Sequence, residues 1–394
     1  MIFSLILIRF EKLEQRTRMD VCSKFKKEVY SVKYQDGAYP DQNGTCSQPT
    51  YDKATDDTRA LIELNYTRWL VGFDTKTELT NDYDDQVIQC AMNCAANGRL
   101  SHYPESNSSC YTPAAYAGCS TSNLAASSGY LNAATALQQL IDDQGGNNLE
   151  VGHRRWILYS GLTKTTFGGA YNSEAFLSNA VAQKVIFDDS ESGKQLTFTA
   201  YPPPGYFPAQ FVYSRFSFWA PGIPLGADVN VTVKINDVPQ NLSEFHIFTE
   251  GGVGDYSGGA MFAMEKYPYI SDIVNKRIDV QVTYKTTVYD YTIYSIDCSD
   301  KPMRTPVPTA EGDKYNSQDI GEAPKKQRQK KVAIGAGVGV SLAVIVIVVI
   351  VLFIVFRHGC SINHDNDETN NNNNDNNDNN DDQSNSGENH LEDA

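Results

Sequence analysis

Residues 332–356 form an unbroken run of 25 residues without a charge. At about 1.5 Å per residue, a helix of this length crosses a hydrocarbon core of about 30 Å with some tilt. A soluble helix this long and this apolar has no ordinary place in a globular core. The run therefore divides the chain into a large N-terminal body and a short tail on opposite sides of a bilayer.

Two signals orient the span, and they disagree. Lys325, Lys326, Arg328, Lys330 and Lys331 precede it, whereas Arg357 follows it. Charge alone would hold the body in the cytoplasm. Against this stand five N-x-S/T sequons, at Asn43, Asn65, Asn107, Asn230 and Asn241, all before the span. Seven of the eight cysteines lie there too. Long domains translocate largely regardless of flanking charge, so the sequons and cysteines decide. The expectation is a type I glycoprotein at the plasma membrane, with its body extracellular and disulfide-bonded.

The formal net charge of −15 is unevenly placed. From residue 357 onward there is one Arg against ten Asp or Glu, so about −9 belongs to the tail. The Asn/Asp-rich sequence there reads as disordered. The body is only mildly acidic, which excludes a nucleic-acid partner of the usual basic kind.

The segments before the span read as follows. Residues 1–54 are an N-terminal segment. It opens on a short apolar run from Ile2 to Ile8, a degenerate signal or anchor, and continues polar with no regular core. From about residue 56, a helix capped by Asp56 or Asp57 runs to Leu70, where Val71-Gly72-Phe73 ends it. A second helix starts at Asp84-Asp85, favourable at the positive end of its dipole. It repeats Val87, Cys90, Ala91, Cys94 and Ala95 at helical spacing and stops at Gly98. Residues 103–130 read as loop. A third helix, about 132–143, turns Ala133, Leu137, Leu140 and Ile141 to one face and ends in Asp142-Asp143. Acidic residues at a helix C-terminus oppose the dipole, so either another group uses one of them or the helix end is simply solvated.

From Trp156 the pattern is β: 156–159, 165–171, 181–187 and 195–200. Pro202-Pro203-Pro204-Gly205 marks a boundary, because proline cannot donate to a ladder. Residues 201–298 then alternate strictly in several stretches, which predicts a β-sandwich-like domain. Its Gly-rich 251–259 stretch lacks the Lys-Ser/Thr of a phosphate loop and reads as turns. Residues 299–331 are a linker. Among the cysteines, Cys22 is a candidate partner of Cys46, and Cys110 lies close to Cys119. Cys90 and Cys94 share a helix face as buried thiols.

Chemistry concentrates in two places about fifty residues apart. One is His102, after the helix that ends in Ala95-Ala96-Asn97-Gly98-Arg99-Leu100-Ser101. The other is His153, within Gly152-His153-Arg154-Arg155-Trp156-Ile157-Leu158. Brought together with Asp143, two imidazoles and a carboxylate can hold zinc with water as a further ligand, or poise a water for general-base attack. The alternative is that His153 supports the start of a strand and His102 is a loop residue. Arg154 and Arg155 are expected to pair with carboxylates and cover a sheet edge.

Four stretches, AANGRLSH, SNLAASS, the helix ending in IDD, and GHRRWIL, together resemble the CAP superfamily (cysteine-rich secretory proteins, antigen 5 and pathogenesis-related proteins). The GHRRWIL form is similar to the bacterial-type branch. The resemblance covers residues 55–200 and implies an α-β-α sandwich, in α/β class, with a central cleft. In that family two histidines and two acidic residues line the cleft and hold a divalent cation. His102 and His153 match the histidines, and Asp143 falls near the second acidic position, one methylene short. The first Glu belongs to a Gly-Glu-Asn motif that here reads Thr121-Ser122-Asn123, so it is missing. The family has no single shared activity, so the resemblance names no ligand. The expectation is a surface glycoprotein that binds an extracellular protein, a lipid or a cell surface. The alternative is a hydrolase using His102, His153 and Asp143, with a divalent cation such as zinc as the cofactor it would take.

Overall fold

The computed structural model describes residues 6–8 (backbone), 16–30, 39–189, 193–255, 257–265 and 273–299. The membrane span expected at 332–356, the tail and nearly all of the linker lie outside these residues. Among the described residues no helix is long and apolar enough to cross a membrane.

In chain order the elements are β1 (Ile6–Ile8), α1 (Arg18–Lys24), α2 (Lys53–Val71), β2 (Glu78–Leu79), α3 (Asp84–Asn97), α4 (Pro113–Ser120), β3 (Ser122–Ser127), α5 (Ala133–Asp142) and α6 (Gly152–Ile157). Then come β4 (Lys164–Thr165), β5 (Phe167–Tyr171), β6 (Asn179–Lys184), β7 (Thr199–Tyr201), β8 (Gly205–Pro208) and β9 (Arg215–Trp219). The last are β10 (Asn230–Ile235), β11 (Val238–Gln240), β12 (Leu242–Ile247), β13 (Gly259–Met264), β14 (Arg277–Tyr284) and β15 (Thr287–Ile296).

Strands β3, β6 and β5 form an antiparallel sheet in that order. Helices α3 and α4 cover one face, and α5, backed by α2, covers the other. This is the α-β-α sandwich that the resemblance implied. Its two apolar layers are separate cores. One, under α3, is small-residued, with Ala91, Ala95, Ala170, Ala180 and Ala182. The other contains Leu64, Leu137, Leu140, Ile141 and Phe167. Gly168 makes the α3 approach feasible, since a Cβ there would sit 2.5 Å from the Ile88 backbone nitrogen.

The three long helices agree with their sequence signals, apart from the first cap. Asp52, rather than Asp56 or Asp57, caps α2 through the Thr55 amide. Asp56 is instead buried, accepting from the Tyr39 hydroxyl and the Ala133 amide. Gly72 and Gly98 end α2 and α3 in the left-handed region, where glycine carries no Cβ penalty.

The later strands form two sheets. One runs β1-β15-β14-β10-β11, with β8 also on β15; the other runs β12-β13-β9-β7. They face each other through Phe198 and Phe218 on Tyr289 and Tyr291, so the expected β-sandwich is present. Val231, Val233, Ile235, Ile278, Val280 and Val282 are all buried, which is the alternation read from the sequence. The sandwich core is continuous with the α5 side of the first region, and the described residues of both regions belong to one compact unit.

Several expectations need correction. Residues 11–54 do contribute to the core: α1 and a π-helical turn at Phe25–Tyr30 bury Val21, Cys22, Phe25 and Val29. The stretch 103–130 holds α4 and β3, besides its loops. Residues 156–159 are no strand, because Gly152–Ile157 is a short helix. The disulfides are Cys22–Cys298, Cys46–Cys110 and Cys90–Cys119, with Cys94 free and buried. Neither Cys22–Cys46 nor Cys110–Cys119 forms. Sequence proximity was a poor guide because Cys22 lies on α1, which packs near β8, and Cys298 follows β15, the strand that pairs with β8.

Candidate functional site

An open cavity of about 570 Å³ lies where α6, the start of β3 and the segment after β12 meet. His102, His153, Ser122, Trp156, Glu150 and Glu250 are among its lining residues. The two histidines expected to meet do meet at this cleft.

Each ring is held from behind. The His102 Nδ1 lies 2.9 Å from the Cys119 carbonyl oxygen. A carbonyl only accepts, so Nδ1–H donates and the neutral ring carries its lone pair on Nε2. The His153 Nδ1 lies 2.7 Å from Asp143 Oδ1. The other Asp143 oxygen accepts from the Arg154 amide at 3.1 Å. Both carboxylate oxygens are thus acceptors, so His153 too donates from Nδ1 and leaves Nε2 for the cleft. Desolvation holds the His102 pKa below the ordinary imidazole value; the Cys119 bond opposes this and the nearness of His153 adds to it.

Asp143 is 1% exposed and does not line the cavity. It occupies a left-handed position, φ 54°, just past the end of α5. Its expected role as a cation ligand is therefore replaced by a positioning one: it orients His153 and fixes the first turn of α6. The helix-end acid does serve another group, as the dipole argument anticipated.

Two acidic groups do reach the cleft, Glu150 and Glu250, neither of which the sequence singled out; Glu150 is the one held by a network of bonds. Its Oε1 accepts from His246 Nε2 (3.0 Å), the Thr249 amide (2.9 Å) and the Thr249 hydroxyl (3.0 Å). Its Oε2 accepts from Arg155 Nη1 at 3.2 Å. These bonds lower its pKa against an opposing desolvation, which is the largest single effect. Arg155 also donates to the Val253 carbonyl at 3.3 Å. The Gly-rich stretch is therefore more than a turn: Gly252 and Val253 line the cleft. One wall belongs to the β-sandwich region, and the only clue in the sequence was an unexplained glycine cluster.

Arg154 is fully buried. It donates from Nε to the Ile141 carbonyl (2.6 Å), from Nη2 to the Asp142 carbonyl (3.0 Å) and from Nη1 to Ser217 (2.9 Å). It caps α5 and ties it to β9 rather than pairing directly with a carboxylate. Arg155 does pair with one, Glu150.

Ser122 stands where the family's first Glu would be. It is 4% exposed and its hydroxyl has no partner among the described residues. Asn123 donates to the His153 carbonyl at 3.2 Å. Two imidazoles with anchored Nδ1 atoms resemble metal-bound histidines. The carboxylates do not complete the set. Among the described residues, the one group of three His, Cys, Asp or Glu donors close enough to share an ion is Cys90, Cys94 and Cys119. The donors at the cleft therefore do not fit a resident zinc site, which takes four ligands or three plus water.

Four of the sequon residues, Asn43, Asn107, Asn230 and Asn241, are exposed. Asn65 differs: its side-chain amide donates to the Thr77 carbonyl at 2.9 Å and its oxygen accepts from the Thr77 amide at 2.8 Å. A glycan on that nitrogen would displace this pairing.

These features define an α-β-α sandwich with a histidine-lined cleft. Residues 75–181 match the family model of the cysteine-rich secretory protein family, CAP. That stretch contains α3 to α6, β3, β5 and the start of β6, hence both histidines and Asp143. Residues 75–181 are therefore similar to that family. No curated protein matches the chain.

Proposed function

We propose that this protein is a type I, single-pass surface glycoprotein with a CAP region, which binds an extracellular partner, a protein, a lipid or a neighbouring cell surface. The CAP region and three disulfides support an extracellular setting. The sequons and the span expected at 332–356 supply the anchoring and glycosylation parts of the reading. The bacterial-type form of GHRRWIL belongs to the same reading.

One observation favours binding over catalysis. The cleft is open and shaped by two regions of the chain, yet neither imidazole bonds a hydroxyl or thiol among the described residues. A nucleophile activated by histidine requires such a bond or a close approach to one. The test is saturable binding of fluorescent residues 16–299 to intact cells and to liposomes. Binding that never saturates, on any surface, would overturn the reading. A second reading rests on the Asp143–His153 pair, which is a general-base arrangement for water. It expects hydrolysis lost in His153→Ala, whereas the binding reading expects binding kept.

A further inference from the structure

Three sulfur atoms meet in the small-residued core, away from the cleft. Cys90 and Cys94 are one turn apart on α3, and Cys119 is at the end of α4. Their Sγ atoms all lie within 4.8 Å of one another. Two form a disulfide and the third is a free thiol. All three are at most 2% exposed. The helices approach this closely because of Gly118, where a Cβ would sit 2.1 Å from the Gln86 carbonyl oxygen. The sulfurs belong to an apolar cluster that includes Val87, Ile88, Met92 and Leu124.

We propose that Cys94 exchanges with the Cys90–Cys119 disulfide, so that the chain holds two disulfide isomers, and that the isomer present sets how His102 is held. Cys94 loses its thiol proton and the thiolate attacks the Cys119 sulfur. The Cys90–Cys119 bond breaks as the Cys94–Cys119 bond forms, and Cys90 leaves as a thiolate that takes up a proton. There is no net oxidation, and no outside thiol has to enter. Attack on Cys119 is favoured over attack on Cys90. Residues four apart on a helix hold their Cβ atoms about 5–6 Å apart, wider than the roughly 3.5–4.5 Å of a disulfide.

The link to the cleft is direct. The Cys119 carbonyl is the acceptor that fixes the His102 tautomer. The Ser101 backbone, next to His102, is close enough to the Cys94 thiol to oppose the rise in its pKa. The exchanging pair thus flanks the His102 loop on both sides. Burial pushes the Cys94 thiol up to about 11, so little thiolate exists near neutrality and the exchange is slow there. Its rate should climb about tenfold per pH unit below that value.

The test uses the native full chain, held at about pH 7 and about pH 9, quenched in acid, unfolded and alkylated. Peptide mapping then shows which cysteine carries the label. The expected result is label on Cys94 with a fraction on Cys90, reaching its plateau about 100-fold faster at the higher pH. The His102 ring resonance should split in proportion to that fraction. Among Cys90, Cys94 and Cys119, label confined to Cys94 at both pH values would overturn the proposal; Cys360 is mapped on a separate peptide. So would Cys90 label that persists in Cys94→Ala, because it would then come from reduction. The wild-type time course decides the matter even if that variant fails to fold, and Cys94→Ser repeats the control.

Discussion

Asp143 and His153 are joined by a 2.7 Å bond between Oδ1 and Nδ1, and the same carboxylate accepts the Arg154 amide. One buried acid therefore sets both the direction of an imidazole and the start of the helix that carries it.

Asp143→Asn should separate these two tasks. Asparagine tolerates the left-handed backbone but accepts on one atom only, so it can hold the ring or the amide, not both. The expected loss is about 1–3 kcal/mol of stability, read by urea unfolding. The His153 nitrogen shifts should move toward a mixture of tautomers. Unchanged shifts would show that Asp143 does not orient the ring.

Glu150→Gln should loosen the cleft wall without unfolding the CAP sheet. Several donors from β12 and the segment after it converge on Glu150, and charged hydrogen bonds contribute about 1.5–3 kcal/mol. Hydrogen exchange at the Thr249 and Glu250 amides should quicken, while the β3, β5 and β6 amides stay protected. Uniform quickening across the unit would refute a local role.

Removing Cys22–Cys298 should cost more than removing Cys90–Cys119. The first bridge joins residues 276 positions apart and the second 29. Chain-entropy arguments give roughly 5 kcal/mol against roughly 3–4 kcal/mol. Denaturant midpoints of the two paired Cys→Ser variants measure the order, and the reverse order would mean the short bridge acts through native packing instead.

His102 should make the fold acid-sensitive. Desolvation of the ring side held against Cys119 lowers its pKa in the folded state below 6.5, although the residue as a whole is exposed, so the effect on stability is small. As pH falls from about 6.5 toward that lower value, the unfolded chain takes up a proton that the folded chain does not. Stability contributed by the neutral ring is therefore lost over that window and fully present above it. Urea midpoints at about pH 7.5, 6 and 5 should show a shallower acid slope in His102→Gln than in wild type. Identical slopes would assign the acid response elsewhere.

Much of this was legible beforehand where the signal was local. The dipole conflict of Asp142-Asp143 pointed to a second user of that acid, and the strict alternation of β10 and β14 marked buried faces. What misled was distance along the chain. Cys22 looked close to Cys46, yet its partner lies at the far end of the sandwich. Glu150 is an ordinary loop acid until β12 arrives opposite it. Residues 152–157 looked like a strand entrance because six residues carry too little periodicity to show a helix, and only the packing of Arg154 beneath α5 selects one.

The sequence by itself determined the element types of its long periodic segments, the two-region order, and the pair of histidines that belong together. Local hydrophobic spacing and turn chemistry are enough for that, and the CAP-like motifs supplied the pairing. Tertiary structure alone decided which donors and acceptors are used up. Asp143 is buried behind His153, Glu150 is drawn to the β-sandwich wall, and three sulfurs share one pocket. Such commitments depend on which buried polar groups find a partner across the fold, and spacing along the chain does not specify that.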